Sequence, residues 1–226
     1  MKKIVVLSGA GISAESGIKP FREMGGVWEE YDVMEVASPQ AWESNPELVM
    51  RFYNERRKKI LKAEPNEGHK GLVDLERQFA VQIITQNVDD LHERAGSKNI
   101  LHLHGEIRKA RSTYDSKLIS DIEGCELKIG DKCEKGYQLR PHIVWFGEDV
   151  PAISEAAAIC EKAEILIIVG TSLNVYPAAG LINYVPTGIP IYLIDPNDVK
   201  ASNNNIIFIK EKASTGIKKL IELLQD

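Results

Sequence analysis

Short runs of apolar residues recur along the chain, and each ends in a small or polar residue. Four of them are "KIVVLSG", "FAVQIITQN", "AEILIIVGTS" and "IPIYLID", and "IIFI" at residues 206–209 is a fifth. Continuous runs of this length that are rich in Val and Ile are typical of strands buried on both faces, as in a parallel sheet.

Helical periodicity appears between these predicted strands. The apolar spacing predicts helices over residues 46–63, 67–78, 153–162 and 213–224. Strands that alternate with helices predict an α/β fold with a doubly wound, Rossmann-like parallel sheet. A chain of 226 residues is the right length for a single catalytic domain of this type, spanning residues 1–226.

Two regions interrupt the alternation. Residues from about 39 to 65 form a helical excursion, and residues from about 107 to 139 are polar, with turn signals at "EGC", "IGD" and "EKG". We expect these insertions to form a small lobe on a core built from about 1–38, 66–106 and 140–226. A cleft between the lobe and the strand ends is the natural place for a ligand.

Composition narrows the classes of partner. The chain is 43% hydrophobic and 27% charged, with a net charge of -5 and a pI of about 5.7, which argues against a nucleic-acid partner. The basic run "RRKKILK" at residues 56–62 is typical of a solvated helix face. Three cysteines, no signal-peptide pattern and no long apolar stretch predict a cytoplasmic protein without a membrane partner.

A glycine motif follows the first predicted strand. Residues 9–14, "GAGISA", match G-x-G-x-x-A, in which glycines let the backbone approach a pyrophosphate at a helix N-terminus. A structural tight turn is the alternative. A dehydrogenase would also need an acidic residue at the end of the second strand, and none is present.

A carboxylate does end a later strand, at Asp195. It would accept hydrogen bonds from an adenosine ribose and repel a 2'-phosphate, which favours NAD over NADP. A plain strand-to-turn junction at Asp195, Pro196 and Asn197 explains the same residues equally well.

Five motifs in order, "GAGISAESGIKPFR", "TQNVDDLHERAG", "LHLHGE", "RPHIVWFGE" and "VGTSLNVYPAAGL", resemble those of the sirtuins, the NAD-dependent protein lysine deacylases. The resemblance covers nearly the whole chain. It implies that NAD is consumed as a co-substrate: the acyl oxygen of a modified lysine displaces nicotinamide, and O-acyl-ADP-ribose and free lysine result. Protein ADP-ribosylation or NAD hydrolysis in the same pocket is the alternative.

The resemblance also assigns residues to NAD. His104 matches the general base, and Asn87 and Asp89 match the pair that holds the nicotinamide carboxamide. Phe21 and Arg22 match a loop that closes over the nicotinamide and ribose, in which Phe21 would shield the ribose and Arg22 would meet phosphate or hold the loop. The cofactor-binding residues that the resemblance implies are Gly9, Ala10, Gly11, Ala14, Phe21, Arg22, Gln86, Asn87, Val88, Asp89, Gly170, Thr171, Ser172, Asp195, Pro196, Asn197 and Ala213. Two other histidines, His69 and His92, are expected at the surface of helices.

The acyl group and the peptide have candidate residues as well. Tyr53 and Arg56 are spaced i, i+3 and share a helix face, as does a Tyr-x-x-Arg pair that recognises succinyl and malonyl groups in one sirtuin subgroup. An amphipathic helix with solvated arginines is the alternative. By resemblance, Val144, Trp145, Phe146 and Gly147 pair with the substrate backbone, although Trp145 and Phe146 also fit core positions.

The metal site of the family is missing from the pattern. Most sirtuins hold structural zinc with two C-x-x-C pairs; here the first pair would fall near Ser112 and Asp115, and only Cys125 and Cys133 lie in the second region. Zinc sites need four such ligands, so we expect no metal. Packing would then hold the lobe, and the candidates are Tyr114, Ile119, Ile122, Leu127, Ile129 and Tyr137.

Overall fold

A six-stranded parallel sheet forms the centre of the fold. The computed structural model describes residues 1–19, 32–199 and 205–225. The sheet contains β1 (Lys3–Ser8), β2 (Ala80–Thr85), β3 (Ile100–His102), β7 (Ile165–Val169), β8 (Ile191–Ile194) and β9 (Ile206–Ile209), in the order β3-β2-β1-β7-β8-β9. All five predicted strands are present, and the predicted α/β class is confirmed.

Helices cover both faces of this sheet. In chain order they are α1 (Gly11–Ala14), α2 (Val33–Val36), α3 (Pro39–Ser44), α4 (Pro46–Lys62), α5 (Glu67–Leu75), α6 (Leu91–Ala95), α7 (Ile153–Cys160) and α8 (Ala213–Gln225), with a 3-10 helix at Ala178–Tyr184. Alternate residues of β1 face opposite ways. Ile4 and Val6 pack with α5 and α8, whereas Val5 and Leu7 pack with α7 and the 3-10 helix, which is the doubly wound arrangement.

A second, antiparallel sheet lies beside the first. It is formed by β4 (Gly105–Ser112), β5 (Ile119–Asp121) and β6 (Leu139–Ile143), in the order β5-β4-β6. Helix α4 packs against it, because the apolar side of α4 meets Ile107 of β4 and Ile143 of β6. The sequence predicted only turns in most of this region, since the strands are short and mixed in polarity.

Two of the six residues expected to pack the small lobe do so. Ile122 and Leu127 are buried with Met50 and Ala110, as predicted. The prediction was wrong for four others, which are between 42% and 67% exposed: Tyr114, Ile119, Ile129 and Tyr137. Ile119 lies on β5, an edge strand whose three residues are all exposed. The Tyr114 and Tyr137 rings stack on each other at the surface, 4.2 Å apart.

An arginine is buried on α4, where the sequence predicted a solvated helix face. Arg57 is fully buried and donates to the main-chain oxygens of Ile107 (2.7 Å) and Cys125 (3.2 Å) and to Asn54 Oδ1 (2.7 Å). It therefore ties α4 to β4 and to the loop that follows β5. The predicted solvated face is wrong for Arg56 and Arg57, which are both buried.

Two features are absent from the part of the chain that the structure describes. In residues 1–19, 32–199 and 205–225, none of the helices is both long and apolar enough to cross a membrane. Over the same ranges, no group of three or more His, Cys, Asp or Glu side chains is arranged to hold a metal ion. At the expected zinc position, Cys133 Sγ instead donates to Ser112 Oγ (3.3 Å), and Lys135 pairs with Asp115 (3.2 Å).

Candidate active site

The carboxyl ends of the parallel strands meet along one edge of the large sheet. Because β1, β2, β7 and β8 run in register, the residues that follow them lie side by side: Gly9, Gln86, Gly170 and Asp195. The chain leaves β1 toward β2 on one side and returns in β7 on the other. Ligands of open α/β sheets bind at such a switch point.

A cavity of about 410 Å³ opens at this edge. Seventeen of the predicted site residues line it: Gly9, Ala10, Gly11, Tyr53, Gln86, Asn87, Val88, His104, Val144, Trp145, Phe146, Gly147, Gly170, Thr171, Ser172, Asp195 and Asn197. Five others belong to the described chain but are not part of the lining: Ala14, Arg56, Asp89, Pro196 and Ala213. Phe21 and Arg22 lie outside the described residues.

The cavity also has lining residues that the sequence reasoning missed. They are Ala37, Ile143, Glu148, Val150, Val175, Tyr176, Pro177, Asp198 and Val199. Several belong to motifs that drew attention for other residues: Glu148 ends "RPHIVWFGE", and Tyr176 and Pro177 lie within "VGTSLNVYPAAGL". The position of these residues inside the motifs was therefore the signal that the sequence offered for them. Nothing in the sequence distinguished their side chains from those of their neighbours.

Two glycine loops form the floor of the cavity. The N–H of Gly11 donates to the oxygen of Gly170 (2.8 Å), and a Cβ on Gly11 would lie 2.6 Å from Gly170 Cα. A Cβ on Gly9 would lie 2.7 Å from the same oxygen. Only glycine permits this approach, and the absence of side chains at Gly9, Gly11 and Gly170 lets a phosphate come close to the backbone of both loops. The floor therefore fits the pyrophosphate of a dinucleotide.

A buried polar network holds Asn87 beside this floor. Its Nδ2 donates to Gly9 O (3.2 Å) and to Ser13 Oγ (3.2 Å), and Ser13 Oγ donates to Asp89 Oδ2 (3.0 Å). Burial raises the pKa of Asp89, although hydrogen bonds from Leu91 N–H and Ser13 oppose the rise. Both amide protons of Asn87 are thus committed, which leaves its oxygen to accept from a ligand.

Two histidines lie beneath the network, and their predicted surface position is wrong. His69 and His92 are both fully buried, with ring centroids 5.0 Å apart. His92 Nε2 is 2.9 Å from Ser8 Oγ, and His69 Nε2 is 3.5 Å from Ser13 Oγ. Burial lowers the pKa of His69 to about 4 and that of His92 well below its ordinary value. Both rings are therefore neutral near pH 7 and pack as part of the site's foundation.

Two more histidines, two residues apart, have pKa values that are shifted in opposite directions. His102 Nδ1 donates to Asn87 O (3.1 Å) and its Nε2 contacts Glu93 Oε1 (2.7 Å). Burial would lower the pKa of His102, but Glu93 outweighs it and the pKa is raised. His104 Nδ1 donates to Gln86 O (3.0 Å), and burial lowers its pKa. Of these two, His104 is the one that lines the cavity.

Tyr53 of α4 enters the cavity from the side of the small sheet. Its hydroxyl oxygen accepts a hydrogen bond from Trp145 Nε1 (3.0 Å), and burial raises the pKa of Tyr53. Arg56 lies one turn further along α4, buried behind the lining with its guanidinium over the Phe52 ring. Burial lowers the pKa of Arg56 to about 10, so it is a cation at neutral pH.

Two arginines and a glutamate fix the segment that contains Trp145. Arg140 binds Glu148 with both terminal nitrogens (2.7 and 3.0 Å), and Arg111 Nη2 lies 3.0 Å from each Glu148 oxygen. Glu148 also accepts from the N–H of Trp145 (2.8 Å). Burial would raise the pKa of Glu148, but the hydrogen bonds from Arg140 and Trp145 hold it below its ordinary value.

Glu15, which follows the glycine motif, caps a distant helix. Its Oε2 accepts from the N–H of Ser214 (3.0 Å) at the start of α8. A carboxylate at a helix N-terminus satisfies an orphan donor and complements the helix dipole. Glu15 therefore ties the loop after β1 to the end of the chain.

The fold, the switch-point cavity and its histidine define an α/β protein with a dinucleotide site between two lobes. A family model described as "Sir2 family" matches residues 9–177. The chain therefore belongs to the Sir2 family, as the resemblance to the sirtuins predicted.

Individual relatives are similar over almost their full length. A protein of Bacteroides thetaiotaomicron named "NAD-dependent protein deacylase" is 53% identical, with 99% of this chain and 98% of that protein covered. One of the same name from Helicobacter pylori is 51% identical, with 99% and 96% covered. A solved Sir2 homologue in complex with NAD has a TM-score of 0.89 and 39% identity, covering 99% of this chain and 90% of that one.

Proposed function

We propose that this chain is an NAD-dependent protein lysine deacylase that removes succinyl and malonyl groups in preference to acetyl. The single observation that carries the proposal is one cavity that joins the glycine floor, His104 and Tyr53. The floor suits a pyrophosphate, the imidazole suits a proton acceptor, and the phenol suits an acyl group. The names of the relatives support the general reaction.

NAD serves as co-substrate in this proposal: the acyl oxygen displaces nicotinamide from the ribose, a ribose hydroxyl then attacks the acyl carbon, and one water completes the release of free lysine and O-acyl-ADP-ribose. The chain's own residues bind and orient the two substrates. Gly9, Gly11 and Gly170 receive the pyrophosphate, while Gln86, Thr171 and Ser172 lie where the strand ends meet a ribose. Asp195 and Asn197 line the same cavity and receive the second ribose.

Asn87 is assigned to the nicotinamide carboxamide. Its side chain is fixed by Gly9 and Ser13, so its oxygen is already oriented before a ligand binds. Asp89 is buried behind Ser13. We therefore assign Asp89 to holding Ser13 and Asn87 in position, and direct carboxamide contact to Asn87.

His104 is assigned as the general base. Its Nδ1–H is committed to Gln86, so the neutral ring has its lone pair on Nε2. A pKa below the ordinary value keeps the ring neutral at pH 7, which a base requires. It accepts the proton of a ribose hydroxyl as that hydroxyl attacks the acyl carbon.

The acid preference rests on Tyr53 and Arg56. The side chain of Tyr53 lines the cavity, and the buried Arg56 adds positive charge one helical turn away. A cation taken out of water favours an anion bound nearby, because the attraction is weakly screened there. A dicarboxylic acyl group supplies that anion, whereas an acetyl group does not.

The substrate backbone is assigned to the segment at Val144, Trp145, Phe146 and Gly147. The first three of these N–H groups already donate within the protein, to His104 O, Glu148 and Ala37 O. The segment therefore offers a peptide the N–H of Gly147 together with its carbonyl oxygens, of which that of Trp145 already accepts from the Glu148 N–H (3.0 Å). Pairing through the main chain gives affinity with little dependence on the substrate sequence.

A peptide assay tests this function. One peptide sequence carrying succinyl-, malonyl- or acetyl-lysine is incubated with NAD, and lysine, nicotinamide and O-acyl-ADP-ribose are quantified by mass spectrometry. We expect higher kcat/KM for the two acidic acyl groups. Arg56→Met should remove the preference, whereas Arg51→Met on the exposed side of α4 should keep it. Equal or faster turnover of the acetyl peptide would contradict the acid preference; nicotinamide release without acyl transfer would indicate NAD hydrolysis.

A further inference from the structure

The hydrogen bond between Trp145 and Tyr53 has a direction that chemistry dictates. An indole N–H can only donate, so the Tyr53 oxygen accepts across the 3.0 Å contact. The hydroxyl proton of Tyr53 is then directed elsewhere. No described residue accepts it, and the hydroxyl-bearing side chain lines the cavity.

Trp145 is itself held rigidly. Its indole is 2% exposed, and the Arg140 guanidinium lies 3.2 Å from its ring centroid. Arg140 is anchored by two hydrogen bonds to Glu148 and by one to Ile143 O (3.0 Å). Glu148 in turn accepts from the Trp145 N–H. The ring and the main chain of Trp145 are thus fixed by the same ion pair.

We propose that Trp145 is a specificity-determining positioning residue: held by Arg140 and Glu148, it makes Tyr53 a hydrogen-bond donor aimed at the acyl group. This inference rests on the proposed acid preference. Tyr53 alone would be free to accept or donate. With its oxygen occupied by Trp145, it selects a ligand that accepts, and a carboxylate accepts more strongly than any part of an acetyl group.

The same side chains hold the phenol in one position, because they come from separate elements of the fold. Tyr53 and Trp145 come from α4 and from the segment after β6, two parts of the chain that are 92 residues apart. Arg111 lies on β4 and forms an ion pair with Glu148, so a third element of the fold is tied to the same segment. A shift of any of these elements moves the phenol relative to the cavity. The acyl preference therefore depends on the positions of all three elements.

Trp145→Phe tests the inference, because it keeps an aromatic ring and removes the N–H. The readout is the ratio of kcat/KM for a succinyl-lysine peptide to that for the matching acetyl-lysine peptide at saturating NAD. We expect the ratio to fall roughly tenfold, the effect of one misdirected hydrogen bond to a charged group. Loss of fold or of NAD binding alone would lower both activities and leave the ratio unchanged.

Trp42→Phe is the matched control. Trp42 packs beside Trp145 with centroids 5.8 Å apart, but it is not part of the cavity lining. It should keep the wild-type ratio. Arg140→Lys provides a second variant, because it loses the two-pronged bond to Glu148 and the stacked guanidinium while retaining charge; its ratio should fall in the same direction.

A double-mutant cycle decides the mechanism. Tyr53→Phe should lower the ratio by itself, and adding Trp145→Phe should lower it no further, because Trp145 acts only through the phenol. Additive losses would overturn the inference, as would a wild-type ratio in both Trp145→Phe and Arg140→Lys. If the unmodified protein shows no preference for succinyl, the proposed function fails at that first measurement, before any variant is compared.

Discussion

His104 donates its Nδ1–H to the main-chain oxygen of Gln86 across 3.0 Å, and this contact assigns the tautomer of the imidazole. A carbonyl oxygen only accepts, so Nε2 carries the lone pair whenever the ring is neutral. Burial lowers the pKa of His104 below its ordinary value of 6.5, although the bond to Gln86 opposes the shift. The contact with Gln86 thus selects the basic atom, and burial favours the neutral ring.

The first prediction is a pH profile. O-acyl-ADP-ribose formation in a single turnover should decline on the acid side with a midpoint below pH 6.5, because protonation of His104 removes the base. His104→Ala should lower the rate by roughly 10²–10⁴-fold. His102→Gln should preserve the acid limb, since His102 is not part of the cavity lining. A midpoint above pH 6.5 in the unmodified protein would exclude this assignment.

The second prediction concerns the glycine floor. Gly11→Ala places a Cβ 2.6 Å from Gly170 Cα, and the two loops must separate to admit it. Overpacking of this kind costs roughly 1–3 kcal/mol, so the Kd for ADP-ribose should rise about tenfold or more. Calorimetric titration measures it. Gly180→Ala is the control, because its Cβ would meet nothing closer than Tyr176 Cε1 at 4.0 Å; equal affinities for the two variants would contradict the prediction.

The sequence predicted the large sheet well, because its strands are continuous apolar runs whose burial needs no tertiary information. It also placed Gly9, Gln86 and Gly170 together, since residues after parallel strands share one edge. The structure of the small lobe was harder to predict. Its strands are short, and the stabilising groups include Arg57, a residue type that is almost always at the surface.

The predicted surface position of the two buried histidines was wrong for a related reason. His69 and His92 lie on helices with polar neighbours in sequence, which is typical of an exposed position. Their partners are Ser13 and Ser8, which come from the beginning of the chain and are brought near only by the fold. The two contacts join residues that are separated by 56 and by 84 positions in the sequence, and local periodicity gives no information on such pairs.

The third prediction concerns Arg57. Arg57→Met fills similar space but abandons three acceptors, including the main-chain oxygens of Ile107 and Cys125. The free energy of unfolding, measured in urea, should fall by about 3 kcal/mol, as for a broken buried charged network. The adjacent Lys58→Met loses an ion pair whose side chains are both 46% exposed, so it should lower the free energy of unfolding far less. Similar losses in both variants would show that Arg57 is not the anchor of the lobe.

The fourth prediction concerns metal. We expect the purified protein to contain less than one zinc per chain and its thermal midpoint to be unchanged by EDTA, because Ser112 and Asp115 stand where thiol ligands would be needed. Elemental analysis and calorimetry measure both. A full equivalent of zinc, or a chelator-dependent loss of stability, would require a different account of the lobe.

The last prediction is a pH dependence of stability that comes from the buried pair. The folded pKa of His69 lies near 4 against an ordinary value of 6.5, and that of His92 is lowered in the same direction. A lowered folded pKa means that the unfolded chain takes up protons first, so stability is complete above pH 6.5 and is lost as the pH falls toward 4. At 1.36 kcal/mol per pKa unit, His69 alone accounts for about 3 kcal/mol over that range.

Urea unfolding between pH 7 and pH 4 measures this loss, and His69→Gln should flatten the slope because glutamine cannot titrate. His102 supplies the contrast. Its folded pKa is raised, so its contribution is present below pH 6.5 and disappears as the pH rises. His102→Gln should therefore leave the acid slope as it is. If His69→Gln kept the full slope between pH 6.5 and 5, where most carboxylates remain ionised, the loss would have to come from other groups and His69 would not control acid stability.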